Sequence, residues 1–159
     1  MTSLSRTPIL ATLLCAACGE DIVPPLVEHE PAEKAVKHSH QPLRGGRLIE
    51  IGAHVAQVEI VHDAAAGTLA AYVMDGHASR AVRLPAKSLR VRIEVGGEEF
   101  AFELKPVADA LTGETVGDTS HFETSADLLG RISGFRGVIV ELRVFDRVFR
   151  DVTFTYSAE

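Results

Sequence analysis

The seven residues Leu89-Arg90-Val91-Arg92-Ile93-Glu94-Val95 alternate apolar and charged side chains without an exception. Side chains on a strand point to opposite faces in turn, whereas an amphipathic helix needs apolar residues three and four apart. A period of two therefore excludes a helix here and demands a half-buried strand. Phe100, Phe102 and Leu104 repeat the pattern against Glu99, Glu103 and Lys105, with Gly96-Gly97 between the two runs. Such a pair of glycines suits the tight turn of a β-hairpin. Val138, Val140, Leu142 and Val144 alternate with Glu141 and Arg143. Beyond a turn at Asp146-Arg147, Val152, Phe154 and Tyr156 share one face.

The same reading predicts strands at Arg47–Ile51, Ala56–His62 and Thr68–Met74, with a weaker one at Ala81–Leu84 and a turn over Asp63–Gly67. One short helix is expected near residues 125–131, capped by Ser125, with Leu128, Leu129 and Ile132 toward the core and Gly130 and Gly134 limiting its length. About eight strands with turns every eight to twelve residues make the class all-β. The expected architecture is a single antiparallel Greek-key β-sandwich over residues 44–159, with a small closed barrel as the alternative.

Ahead of this domain the character changes. Met1–Arg6 is weakly basic, Thr7–Ala17 is apolar and uncharged, and Glu20 and Asp21 follow at once. A membrane-spanning helix needs about 20 apolar residues, so the run reads as a secretory signal over 1–17. It ends in Cys15-Ala16-Ala17-Cys18, which resembles a bacterial lipobox with Cys18 as the lipidated residue. Cys15-x-x-Cys18 also has the spacing of a redox pair or half a zinc site, but it closes a hydrophobic run and no second CxxC follows. Residues 18–43 hold Pro24, Pro25, Pro31 and Pro42 among scattered charges, which reads as a tether lifting the domain off a membrane. The expected setting is the bacterial cell envelope facing the periplasm, with membrane attachment through the lipid.

No catalytic constellation is legible: G-x-S-x-G, H-E-x-x-H, a P-loop and a strand-linked G-x-G-x-x-G are all missing from the sequence. The expectation is a non-enzymatic binding domain. A formal net charge of −6 without a basic cluster argues against nucleic acid. Absence of Trp and only two Tyr argue against an aromatic sugar-stacking platform.

Histidine is the one residue type that suggests a ligand. His54 sits in the turn after Ile51-Gly52, His62 ends a strand, and His77 lies in the loop Met74-Asp75-Gly76-His77. Strand ends and loops are where a β-domain mounts metal ligands, and also where polar residues fall by default. His121 lies farther along the chain, and His29, His38 and His40 belong to the tether. Without a thiolate, a histidine and carboxylate site suits Zn²⁺ or Cu²⁺. His40, His54, His62 and His77 are the candidate ligands.

Arg44-Gly45-Gly46-Arg47-Leu48-Ile49-Glu50-Ile51-Gly52, followed by Val58–Asp63, Gly67-Thr68-Leu69 and Tyr72-Val73-Met74-Asp75, resembles a family of small secreted bacterial proteins. Their recurring pattern is H-G-G, a strand with E-h-G, a second strand and a Tyr-Val-h-Asp strand, and similar segments occur near adaptor subunits of heavy-metal efflux pumps. The resemblance covers residues 44–75 best and Ser120-His121-Phe122 with Leu128-Leu129 more loosely. It implies a β-sandwich and a metal-related envelope role, with an efflux system or another envelope protein as partner. Here Arg44 stands where the family has His, so a ligand at that position is lost unless His38 or His40 replaces it. The rival expectation is an interaction module with no metal.

Overall fold

The computed structural model describes residues 40–157. The expected signal peptide, Cys18, His29, His38 and most of the expected tether lie outside the described residues. The strands are β1 (Arg47–Ile51), β2 (Ala56–Asp63), β3 (Thr68–Asp75), β4 (Leu89–Val95), β5 (Glu98–Pro106), β6 (His121–Ser125), β7 (Gly134–Val144) and β8 (Arg147–Ser157). All pair antiparallel in one ladder of order β1-β2-β3-β6-β5-β4-β7-β8. The class is all-β, as the alternation requires. β5 joins the two halves of the ladder. Its residues 98–104 pair with β4, and only Lys105 and Pro106 reach β6.

The β4–β5 hairpin turns at Gly96-Gly97 as expected and sends Leu89, Val91, Ile93 and Leu104 into the core. Phe100 and Phe102 are only partly buried against it. Ile49, Ile51, Val58, Ile60, Leu69, Ala71 and Val73 supply the core from β1 to β3, and Phe122 from β6 is fully enclosed. Burial of this apolar surface, at roughly 25 cal/mol per Å², is the main drive to fold, since the described domain has no cysteine to cross-link.

Three expectations need correction. Ala81–Leu84 is not a strand: it makes isolated bridges, Met74 with Ala81 and Leu84 with Thr119, and Pro85 cannot donate to a ladder. The missing strand is β6, whose mixed sequence His-Phe-Glu-Thr-Ser hides it. The helix expected over 125–131 is a single 3₁₀ turn, Leu129–Arg131. Ser125 cannot cap it, because Ser125 pairs with Thr68 in the β3–β6 ladder. Leu129 and Ile132 do face the core.

The third correction concerns β7. Phe135 and Ile139 point inward, and so do Leu142 and Val144, although 139 and 142 differ by an odd number. Val140 and Glu141 therefore sit where the pleat changes phase. Opposite them, Asp151 of β8 has φ of +50°, and the ladder is interrupted there: Ile139 pairs with Val152 and Glu141 with Arg150, while Val140 is skipped. Irregularities of this kind re-aim side chains along a strand. Here the result places Ile139, not Val138 or Val140, in the core.

Candidate functional site

β2 is buried on both faces. Ala56, Val58 and Ile60 face the core, and the alternate residues Gln57 and Glu59, which a period-two reading assigns to solvent, are buried too. The cover over Glu59 is the segment 40–46. Glu59 is 0% exposed, and its carboxylate accepts hydrogen bonds from the backbone N–H groups of Leu43 at 3.1 Å, Arg44 at 2.6 Å and Gly46 at 3.0 Å. Arg44 Nη1 lies 3.6 Å from the same group. Gly46 must be glycine, since a Cβ would stand 2.3 Å from the carbonyl oxygen of Ile60. Leu43, assigned by expectation to the tether, is thus part of a strap fastened to β2 by the buried Glu59 carboxylate, with residues 40–42 leading into it.

That strap leads to a group of histidines at one end of the sheet. Antiparallel pairing of β2 with β3 sets Ala56 against Asp75, so the turn 52–55 and the loop 76–80 meet. They meet closely: a Cβ on Gly76 would lie 1.9 Å from the carbonyl oxygen of His54. Gln57 Nε2 donates to Gly76 O at 3.3 Å. The ring of His40 packs edge-on against both loops, with centroids 6.1 Å from His54 and 5.8 Å from His77.

Each ring has a distinct state. His54 Nδ1 is 3.0 Å from Glu50 Oε1, which also accepts from the His54 backbone N–H at 3.0 Å. A carboxylate on one ring nitrogen fixes the tautomer and leaves the other facing outward as a ligand, the usual supporting contact of metal-bound histidine. His40 Nε2 is buried and has no hydrogen-bond partner among the described residues. A buried polar atom of this kind costs about 1–3 kcal/mol unless something fills its valence. His77 is exposed.

Backbone strain surrounds the group. His54 has φ of +62° and Ala78 φ of +53°, both in the left-handed region that non-glycine residues avoid. Asp75 holds the second loop in place: it accepts from Ser79 N at 2.8 Å, Ser79 Oγ at 2.9 Å and Arg80 N at 3.3 Å. The Ser79 backbone N–H is the chief reason that the Asp75 carboxyl is held down to about 2. A depressed folded-state pKa adds stability above the unfolded value near 4 and loses it as pH falls toward 2. Asp75→Asn should therefore cost about 1 kcal/mol at pH 7, with the gap from wild type closing between about pH 4 and 2 in urea titrations. A constant gap across that range would contradict this role.

The other histidines are not in the group. His62 lies six residues along β2 from Ala56, about 20 Å away by strand rise. Its ring nitrogen Nε2 is 2.8 Å from Leu129 O, and the ring packs edge-on between Phe135 and Tyr156, each at 5.5 Å. His121 stacks on Tyr72 at 4.3 Å, and the Arg44 guanidinium lies 3.9 Å from the centre of the Tyr72 ring. Burial pushes His121 below the usual imidazole range and Tyr72 above the usual phenol range. Arg44, which stands where the resembling proteins have His, is thus engaged with Tyr72 and Glu59 and takes no part in the histidine group.

Among the described residues, no group of three or more His, Cys, Asp or Glu stands close enough to hold a metal ion as it is. Two imidazoles on one tetrahedral zinc have ring centroids about 5.2 Å apart, from Zn–N bonds near 2.05 Å. The separations of 5.8 and 6.1 Å are within about 1 Å of that value. Sequence reasoning missed two carboxylates of the site. Glu50 carried a signal in its spacing of four from His54, while Glu59 looked like an ordinary solvent-facing residue.

No protein-family model matches the chain, and no curated protein or solved structure matches it either.

Proposed function

We propose that this domain is a non-enzymatic binder of a divalent transition metal, Zn²⁺ or Cu²⁺, through His40, His54 and His77. The observation that carries the reading is the unpartnered buried Nε2 of His40 beside two histidines mounted on strained loops. A metal drawn in between the rings would satisfy that nitrogen, and Glu50 would keep His54 in the binding tautomer. Three neutral imidazoles leave an open coordination position, which suits exchangeable cargo better than a closed structural site. His62 is left out, because its Nε2 is already engaged by Leu129 O.

The cellular frame belongs to the same proposal: secretion through residues 1–17, lipidation at Cys18, and display of the domain on the periplasmic side of the envelope, near a metal efflux or homeostasis system. The resemblance of residues 44–75 supports it, and those residues include the Arg44–Gly46 latch on Glu59. For the architecture, the reading is a Greek-key sandwich with β1-β2-β3-β6 as one leaf and β5-β4-β7-β8 as the other. Its support is the two-residue junction between β5 and β6 and the long return of 76–88 that leaves β3 beside β6.

Calorimetric titration with Zn²⁺ at neutral pH tests the binding. The full chain carries His29→Gln and His38→Gln, so that other histidines near the N-terminus do not contribute. One equivalent should bind, at least tenfold more weakly after His40→Ala, His54→Ala or His77→Ala, and unchanged after His62→Ala. Affinity should fall on acidification, because only neutral imidazole coordinates a metal. No heat with either metal would return the domain to the rival reading of a metal-free interaction module.

A further inference from the structure

The phase change in β7 has a second consequence, on the other half of the ladder. β4 and β7 pair only from Val91 to Glu94 against Arg136 to Ile139. Beyond Ile139 the strands part, and a cleft of 470 Å³ opens between Ser88–Arg90 and Val140–Arg143. The apolar side chains that open onto it are Pro85, Ala86 and Val140, and behind them Leu84, Leu89, Phe122 and Leu142 are at most 3% exposed. A volume in the range of about 300–1,000 Å³ over an apolar floor is that of a small-molecule site.

The mouth carries two arginines and one glutamate. Of the side chains around it, Glu141 is committed to Arg150, whose Nε and Nη2 lie 3.0 and 2.9 Å from its Oε2. Ser88 Oγ donates to Glu103 at 2.7 Å, and Lys105 Nζ donates to the same carboxylate at 2.7 Å. Arg90 and Arg143 also line the cleft, and neither forms an ion pair within 4.0 Å among the described residues. Arg90 stands across from Glu103 in the β4–β5 register without closing an ion pair on it, so both guanidinium groups keep open donors at the mouth. The planar fork of arginine matches a carboxylate in bidentate fashion.

From this cleft we infer that the domain holds a second site, independent of the histidines, for a small amphipathic carboxylate: an aliphatic tail against Pro85, Ala86 and Val140, and a head between Arg90 and Arg143. The tail displaces water from Pro85, Ala86 and Val140, and the head takes the donors that Glu103 and Glu141 leave open.

Decanoate is the probe, titrated below its micelle concentration into the ¹⁵N-labelled full chain, with decylamine and decanol in parallel. Saturable shifts confined to residues 84–90, 122 and 140–143 are expected with decanoate, at least tenfold weaker with decanol and absent with decylamine. Arg90→Glu/Arg143→Glu should weaken decanoate at least tenfold while leaving the spectrum of β1–β3 unchanged. Val140→Trp, which fills the slot from a different wall, should do the same if the charge variant fails to fold. Absence of saturation would overturn the site, as would equal response to all three probes. Shifts at Val140 that depend on protein concentration and not on decanoate would assign the parted strands to self-association instead.

Discussion

Glu59→Ala should destabilise the domain by about 2–4 kcal/mol, because it strips three backbone N–H groups of their shared acceptor. The carboxylate is fully enclosed and is the acceptor for the N–H groups of Leu43, Arg44 and Gly46. Each donor left dry costs about 1–3 kcal/mol, so the strap would rather lift and hydrate than stay in place. Lifting caps the loss and exposes the polar face of β2 around Gln57. Urea unfolding reads the midpoint shift, and protease cleavage within residues 40–46 reads the lifted strap. Glu59→Gln should fall between the two, because an amide accepts at one atom only and turns a donor toward Leu43 or Arg44. A loss below about 1 kcal/mol for Glu59→Ala would mean that the strap is held by something else.

Gly76→Ala is expected to have the second largest effect, and its effect is on the site as much as on stability. The added methyl would stand 1.9 Å from the His54 carbonyl oxygen, which is backbone and cannot rotate aside. The two loops must separate by more than an ångström to admit it. Overpacking of this kind costs about 1–3 kcal/mol. Separation carries His77 away from His40, so zinc affinity should fall at least tenfold with all three histidines still present. Unchanged affinity would show that the approach of the loops is irrelevant to binding.

The legible part of this structure is the part governed by one interface. β4 and β5 are covered on a single face, so their alternation maps directly onto burial. β2 breaks that rule because the strap and the 76–80 loop cover its second face, and polar Gln57 and Glu59 at alternate positions then give no sign of being buried. β6 was invisible because its five residues hold one large apolar side chain, Phe122. In β7 the spacing of Val138, Val140, Leu142 and Val144 misled: Ile139 between the first two is also apolar, and the left-handed Asp151 on the neighbouring strand shifts the phase midway. A backbone angle on a partner strand leaves no trace in the local pattern.

The site shows the same division. His54 and His77 could be named because strand ends are places for ligands, and their proximity follows from the β2–β3 register, which short turns make readable. His40 joins them through Glu59, sixteen residues beyond Leu43, and that contact is long-range and polar. His62 fitted the same local description and differs only in its neighbours, Leu129, Phe135 and Tyr156. Residue type located the chemistry, and tertiary contact selected among the candidates.

Three particular imidazoles should share one metal ion. Long-range ¹⁵N–¹H correlation of the histidine side chains resolves each ring nitrogen, and it is recorded while Zn²⁺ is added to one equivalent in the His29→Gln/His38→Gln chain. Ring nitrogens of His40, His54 and His77 should shift together and saturate together, while those of His62 and His121 stay where they are. Shifts at His62 or His121 in their place, or an unmoved His40 Nε2 at one equivalent, would contradict it.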